Sequence, residues 1–534
     1  MEIFLNVLVR VLLVANLNSR FRFAVANKIT RPSTKADFVP PDRELSSSTR
    51  LAKVSYKDLF DLFGSANVLD PVHEEGNDHY KIWLVETLRE NLHKIDPLLR
   101  KIEEAFGTVM EGAAPATRVP ALGFLEVTDL PREMVDLRKR LLPQASQLAN
   151  LPAEELRALE KPETGYSIGW SHGRESFRVD DSNGTQSVDG TPKRRYDMAK
   201  GSFYMNPFAD ADTTNVFPTA MQPSLEEDLL KMTTFMSEVG LWIAILCDLY
   251  LGADAIADPD CSREQERASW YHGESVNCVD CTNLPSASIL TNPWMVYNSL
   301  KDGKPAAKAR LLYYFPQGQQ EQKEQEQIVT EIDKEHIYDD WCGWHTDHGT
   351  LTALLPGMLC GGNDDPERRE PVNPQLSPSH PKPGLYIKTN IPIPLDDIDD
   401  DGTKPEIPEE QKYRERLVHV NLAPNSLGFQ LGETLEILSG GKFVATPHAV
   451  KAPLASTTTG ASMLGRASLA VFLQPLPSHI LPPLAAITTI DRDNGSCTDG
   501  KRHNDSNDDD ALSLRKRWRS TFGEFQRVTI ESFS

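Results

Sequence analysis

Trp344-His345-Thr346-Asp347-His348-Gly349-Thr350, continued by the largely apolar run Leu351-Thr352-Ala353-Leu354-Leu355, decides how the chain reads. As an extended strand it sets His345 and Asp347 two residues apart, and therefore on one face. An imidazole and a carboxylate converging from one strand make two thirds of a facial metal site. The missing donor is a histidine from a distant strand, as in the two-histidine, one-carboxylate sites of non-haem Fe(II) oxygenases. His348 adjoins Asp347 but points to the opposite face, which makes it a supporting or packing group and not a ligand.

One downstream segment offers the third donor. In Glu436-Ile437-Leu438-Ser439-Gly440-Gly441-Lys442-Phe443-Val444-Ala445-Thr446-Pro447-His448, the Gly440-Gly441 pair reads as a hairpin turn, with His448 at the end of the returning strand. This predicts that His448 enters from the opposite sheet. Farther on, Arg466-Ala467-Ser468 leads into the apolar strand Leu469–Leu473. Arg466 and Ser468 share a face, and in a cavity they could grip a carboxylate with a guanidinium fork and a hydroxyl. An inward arginine without an anionic partner is costly, so a ligand carboxylate or an internal Asp or Glu must face it.

These segments belong to a series of short strands that begins after Lys308: Ala309–Phe315, Trp344–Leu355, Gly384–Thr389, Leu417–Leu422, Leu427–Gln430, Thr434–Leu438, Phe443–Thr446 and Ser468–Gln474. Eight short strands in one run predict a jelly roll, two sheets packed around a cavity. The stretches Gln317–Glu331, Gly361–Pro383 and Pro392–Glu410 are rich in Gln, Glu, Pro or Asp and read as disordered insertions at turns.

Upstream the periodicity is helical. Leu84, Leu88, Leu92, Ile95, Leu99 and Ile102 form an amphipathic stripe between Lys81 and Phe106, with Pro97 as a kink or break. Ser224 with Glu227 forms a capping box ahead of a second stripe, Leu225, Leu229, Met232, Met236, Val239, Ile243, Leu246 and Tyr250, which Gly252 should end. Residues 165–222 are turn-rich and aromatic. They read as strands and loops covering a pocket, with Trp170, Arg174, Tyr204 and Asn206 as candidate substrate contacts.

The organisation expected is a targeting or disordered segment (1–36), an N-terminal helical and substrate-covering region (37–307), the β core (308–475), a low-complexity linker (476–514) and a C-terminal helix (515–534). Residues 3–17 are apolar but too short and interrupted for a stable membrane span. The first 36 residues are basic after Glu2 and read as an organelle transit peptide, as a signal peptide with Ala24-Val25-Ala26 as its cleavage site, or as a disordered tail, in which last case the protein would be cytoplasmic. With 77 acidic against 56 basic residues, a formal net charge of -21, the field repels phosphate backbones, and no nucleic-acid partner is expected. Seven scattered cysteines do not form a disulfide framework, and the lone Cys278-Val279-Asp280-Cys281 near His272 lacks the second pair a structural zinc site needs.

The segments WHTDHGTLTAL (344–354), GLYIK (384–388), LGETLEILS (431–439), TPHAV (446–450) and RASLAVFLQP (466–475) together resemble the C-terminal half of the isopenicillin N synthase-like family of 2-oxoglutarate/Fe(II)-dependent dioxygenases. The resemblance implies an α+β fold: a double-stranded β-helix (jelly-roll, cupin-like) core flanked by helices. It implies Fe(II) held by His345, Asp347 and His448, with Arg466 and Ser468 binding the distal carboxylate of the cosubstrate 2-oxoglutarate. With O2, such an enzyme hydroxylates or desaturates a small-molecule substrate and releases succinate and CO2. The chain departs from the pattern twice. The insertions lengthen the span from Asp347 to His448, and Phe315 precedes Pro316 where the family often places a tyrosine, leaving Tyr313 as a substitute on the same face. Three other readings compete: a same-fold oxidase in which Arg466 and Ser468 grip the substrate's own carboxylate, a cupin-like binding protein with a non-catalytic metal site, and a zinc hydrolase.

Overall fold

The computed structural model describes residues 51–64, 68, 91–107, 121–174, 176–178, 194–209, 214–257, 295–316, 340–361, 382–392, 413–453, 464–481 and 520–533. The 1–36 segment, the Cys278/Cys281 pair with His272, most of each polar insertion and most of the 476–514 linker lie outside them.

Fifteen strands occur among the described residues: β1 (Ala52–Ser55), β2 (Phe124–Thr128), β3 (Gly169–His172), β4 (Ser176–Arg178), β5 (Arg194–Tyr196), β6 (Lys200–Met205), β7 (Lys308–Tyr314), β8 (Asp340–His345), β9 (Leu351–Leu354), β10 (Met358–Gly361), β11 (Gly384–Pro392), β12 (Tyr413–Val420), β13 (Leu427–Leu431), β14 (His448–Lys451) and β15 (Leu464–Leu473). The larger sheet runs β1-β2-β13-β9-β15-β7-β6-β3, with β10 attached to β15, and the smaller runs β12-β11-β14-β8. From β7 onward the chain passes back and forth between them, one or two strands at a time. Strands β7, β9, β13 and β15 are neighbours in the large sheet, while β8, β11, β12 and β14 make up the small one. That winding is a double-stranded β-helix, and strands β1, β2, β6 and β3 widen its large sheet on both sides.

Period-two alternation decides what each face of the large sheet holds. On β15, Ala467, Leu469, Val471 and Leu473 face a helical layer, which leaves Arg466, Ser468 and Ala470 on the side of the small sheet. On β7, Leu311 and Tyr313 join the helical layer while Leu312 and Tyr314 pack with Trp341, Leu385, Ile387, Val418 and Val450 between the sheets. The helical layer is built from Leu92–Phe106, Arg132–Ala149 and the long Ser224–Ala257. By length and composition, Ser224–Leu251 could cross a membrane; 67% of its apolar window is buried inside the molecule. It carries Leu225, Leu229, Met232, Met236 and Ile243 into the core.

Several sequence expectations change here. The Ser224 helix continues through Gly252 to Ala257. Its start has no capping box, because the Ser224 hydroxyl donates to Met221 O and the Glu227 amide donates to Pro223 O. Pro97 lies inside one continuous helix, Leu92–Phe106. Thr434–Leu438, expected as a strand, lies in the helix Glu433–Leu438, and Gly440 and Gly441 (φ 64° and 79°) end it instead of turning a hairpin; Phe443–Thr446, also expected as a strand, keeps only an isolated bridge from Phe443 to Gly107. The Gly441 amide donates to Glu436 O, the six-to-one bond of a left-handed helix stop. A run as short as Thr434–Leu438 fits either period, and the two glycines favour the helical choice. Trp344–Leu355 is likewise two strands, β8 and β9, in different sheets. The C-terminal helix is Phe522–Phe533, and Phe522 and Phe525 bury against Ile437, Leu438 and Leu481.

Phe429, fully buried on β13 between the sheet and the helices, reports on this layering. Phe429→Ala should lower unfolding free energy by about 3–5 kcal/mol in chemical denaturation; a change under about 1 kcal/mol would mean that layer is not tightly packed.

Candidate metal centre

Strand β8 ends at His345, and the chain crosses to the large sheet through Thr346–Thr350 before β9 begins. Asp347 therefore projects from a crossing loop. His448, the first residue of β14, is the register partner of His345 on the neighbouring strand of the small sheet. The expected entry from the opposite sheet is replaced by side-by-side pairing, and the ring centroids stand 4.3 Å apart.

The three side chains converge all the same. His345 Nε2 and His448 Nε2 each lie 3.9 Å from Asp347 Oδ1, and the donor atoms of the trio fall within 4.8 Å of one another. One ion can touch all three at that spacing, and two imidazole nitrogens with a carboxylate oxygen suit a first-row divalent metal. Side-chain exposures of 40% for His345, 11% for Asp347 and 8% for His448 open the site on the His345 side. The His345 ring can donate Nδ1–H to Gly343 O at 2.8 Å, which leaves Nε2 free to coordinate an ion. Thr352, on the inward face of β9, donates to Asp347 Oδ2 at 2.6 Å and leaves Oδ1 toward the imidazoles.

Electrostatics couple these groups. Burial pushes Asp347 up, but His448, His345 and the Thr352 hydroxyl outweigh it and hold the carboxyl below its usual range. Burial and the neighbouring His345 bring His448 down to about 4. Burial would lower His345 as well, yet Cys342, Asp347 and the Gly343 carbonyl raise it to about 9. Cys342 Sγ lies 3.8 Å from His345 Nδ1 and 3.9 Å from Lys200 Nζ. Burial raises that thiol, but His345, Lys200 and Arg310 bring it to about 7.

Arg466 and Ser468 sit on the same inward face of β15, as their spacing requires. In register across the large sheet, Arg466 faces Tyr314 on β7, and Tyr314 faces Lys200 on β6. The Arg466 guanidinium lies 5.5 Å from the Tyr314 ring centroid and hydrogen-bonds that side chain. Tyr314 also stacks on Trp341, at 5.5 Å and 27°. Tyr313 points to the helical layer, so it does not occupy the position the sequence left open for it. The tyrosine beside the arginine is Tyr314. Counting inward residues from Leu312 and aligning β7 with Arg466 would have found it. Among the described residues no carboxylate lies within ion-pair distance of Arg466, and burial lowers its pKa. Gly357 makes room for this side chain, because a Cβ there would stand 2.5 Å from Arg466 Nε. Arg138 holds the Gly357 turn through bonds to Pro356 O at 2.9 Å and Gly357 O at 3.1 Å.

The four candidate substrate contacts separate. Trp170 is buried in the helical layer. Arg174 pairs with Glu160 at 2.8 Å and lies over Tyr166. Asn206 is buried and ties Phe208 N, Pro305 O and Asn215 together. Tyr204 shares the inward face of β6 with Lys200 and Ser202, and Arg310 lies over its ring at 5.1 Å.

No protein-family model matches the chain, and no curated protein matches it by sequence. Among solved structures, the chain is similar to a full-length Neurospora crassa protein crystallised in complex with alpha-KG, at 13% identity and a TM-score of 0.44, covering 91% of this chain and 98% of that one. It is similar to JOX2 in complex with 2OG, Fe and JA at 13% identity, TM-score 0.39 and coverage of 86% of both chains. A dioxygenase for auxin oxidation from rice gives 14% identity, TM-score 0.38 and coverage of 82% and 90%. With TM-scores this low, the site is read from its own residues.

An ion entering the trio must displace the proton that His345 holds up to about pH 9. Divalent-metal affinity should therefore rise by about tenfold per pH unit between pH 6 and 8. Calorimetry in buffers of different ionisation enthalpy should show about one proton released per ion; binding independent of pH would contradict this ligand set.

Proposed function

We propose that the protein is a non-haem Fe(II)- and 2-oxoglutarate-dependent dioxygenase acting on a small organic molecule. The observation that carries the reading is the convergence of His345, Asp347 and His448 in a double-stranded β-helix, exposed on the His345 side, with a half-buried Arg466 on the inward face of the large sheet. His345, Asp347 and His448 would hold the iron, which when bound supplies oxygen activation and the oxidation of the substrate. The metal fits because the donor set is mixed nitrogen and oxygen, the donors lie within reach of one ion, and one side stays open.

The chain's own groups do the binding and orientation. Arg466 and Ser468 receive the distal carboxylate of 2-oxoglutarate, the guanidinium through a paired fork and the serine through its hydroxyl. Tyr314 fixes the approach of that fork, with Trp341 stacked behind it. A dianionic cosubstrate answers the half-buried, inward-facing charge of Arg466, which has no carboxylate partner among the described residues. The apolar packing of Leu385, Ile387, Val418 and Val450 excludes water from the space between the sheets. Thr352 keeps Asp347 turned toward the two imidazoles.

The substrate is a small molecule that enters beside His345, the most open of the three. Tyr204, on the inward face of β6, is the retained candidate contact.

Protein reconstituted anaerobically with Fe(II) should bind 2-oxoglutarate saturably and release succinate under O2 when its substrate is present. Saturable metal binding with no 2-oxoglutarate binding would favour the oxidase of the same fold. Arg466→Gln should weaken 2-oxoglutarate by about 10- to 100-fold, the loss of a charge-assisted contact of about 1.5–3 kcal/mol, and leave metal affinity unchanged. Equal 2-oxoglutarate affinity in that variant would remove Arg466 from the cosubstrate site.

A further inference from the structure

Outside the three ligands, a second buried group is built into the loop that carries Asp347. Glu433 is 1% exposed and is the first residue of the helix Glu433–Leu438. Its carboxylate accepts from His348 Nδ1 at 2.9 Å and from the Thr346 hydroxyl. Those two residues flank Asp347 on either side. The Glu433 amide also donates to Asp347 O at 2.8 Å, so one residue grips the loop at three consecutive positions. Thr434 extends the grip through its amide to Gly349 O at 3.2 Å and its hydroxyl to His348 O at 2.6 Å. The approach is so close that a Cβ on Gly432 would sit 2.1 Å from Gly349 O. The far edge of the His348 ring meets Phe525 of the C-terminal helix, with ring centroids at 6.4 Å and planes at 88°.

We propose that Glu433 is a positioning residue for the metal: by tying Thr346 and His348 it holds the Asp347 backbone so that Oδ1 faces both imidazoles before the ion arrives. This rests on the reading of His345, Asp347 and His448 as the metal ligands. A buried carboxylate is stable only with its charge answered by donors, and the Thr346 and His348 side chains that answer it both belong to the metal loop. Releasing them leaves Asp347 to be ordered at the moment of binding, and that ordering is subtracted from metal affinity. Groups that orient metal ligands typically change affinity by about 10- to 100-fold when removed.

The test titrates Mn(II) into the full-length wild-type chain and into Glu433→Gln, Thr346→Val and Leu435→Ala, well below every melting midpoint, so that each protein is fully native. Leu435 is a buried apolar residue of the same helix and controls for general loosening. Glu433→Gln should weaken Mn(II) by about 10- to 100-fold, Thr346→Val should weaken it less, and Leu435→Ala should melt earlier with unchanged affinity. Wild-type affinity in both Glu433→Gln and Thr346→Val overturns the proposal, as does an equal loss in Leu435→Ala. If Glu433→Gln does not fold, Thr346→Val alone decides. A wild-type chain that binds no Mn(II) overturns the metal reading itself, and this inference with it.

Discussion

The chain between β8 and β9 must leave one sheet and enter the other within five residues, and the candidate centre depends on how that crossing is held. Thr346–Thr350 cannot satisfy its carbonyls by strand pairing. The donors come instead from the start of the Glu433–Leu438 helix, where Gly432, Glu433 and Thr434 give their amides to Thr350 O, Asp347 O and Gly349 O. Helix N-termini carry unsatisfied amides, and a sheet-crossing loop carries unsatisfied carbonyls. Each meets the other's need, and Asp347 is fixed where they join.

From that crossing the rest follows by register. His345 closes β8 and His448 opens β14 beside it, so two imidazoles stand at one end of adjacent strands of the small sheet. The large sheet contributes the inward rows of β9, β15, β7 and β6, which place Thr352 against Asp347 and line up Arg466, Tyr314 and Lys200. Lys200 is answered by Asp197 in a buried pair. The opposite face of the same strands is apolar and carries the helices, so the period of two both builds the core and sorts the chemistry to one side.

Much of this is legible in the sequence because the informative patterns are short-range. His345 and Asp347 announce themselves by spacing, Arg466 and Ser468 by theirs, and six of the eight expected strand segments by their turns, Thr434–Leu438 and Phe443–Thr446 being the exceptions. The local errors share one cause, which is that a short apolar run does not declare its period. Thr434–Leu438 reads as a strand and Trp344–Leu355 as one strand instead of two, since the sheet crossing and the helix that braces it are tertiary facts. Glu433 shows in the sequence only as part of a motif, because its partners lie some 85 residues away along the chain. Tyr313 takes the place of Tyr314 in the sequence reading because the face is counted from Phe315, which lies beyond the end of β7.

The central claim is that one metal ion sits among His345, Asp347 and His448. Anomalous scattering from crystals of the full-length chain grown anaerobically with Fe(II) tests it most directly. The account predicts a single strong peak per chain, touching His345 Nε2, Asp347 Oδ1 and His448 Nε2. A peak elsewhere, or none at that position under saturating iron, would contradict it.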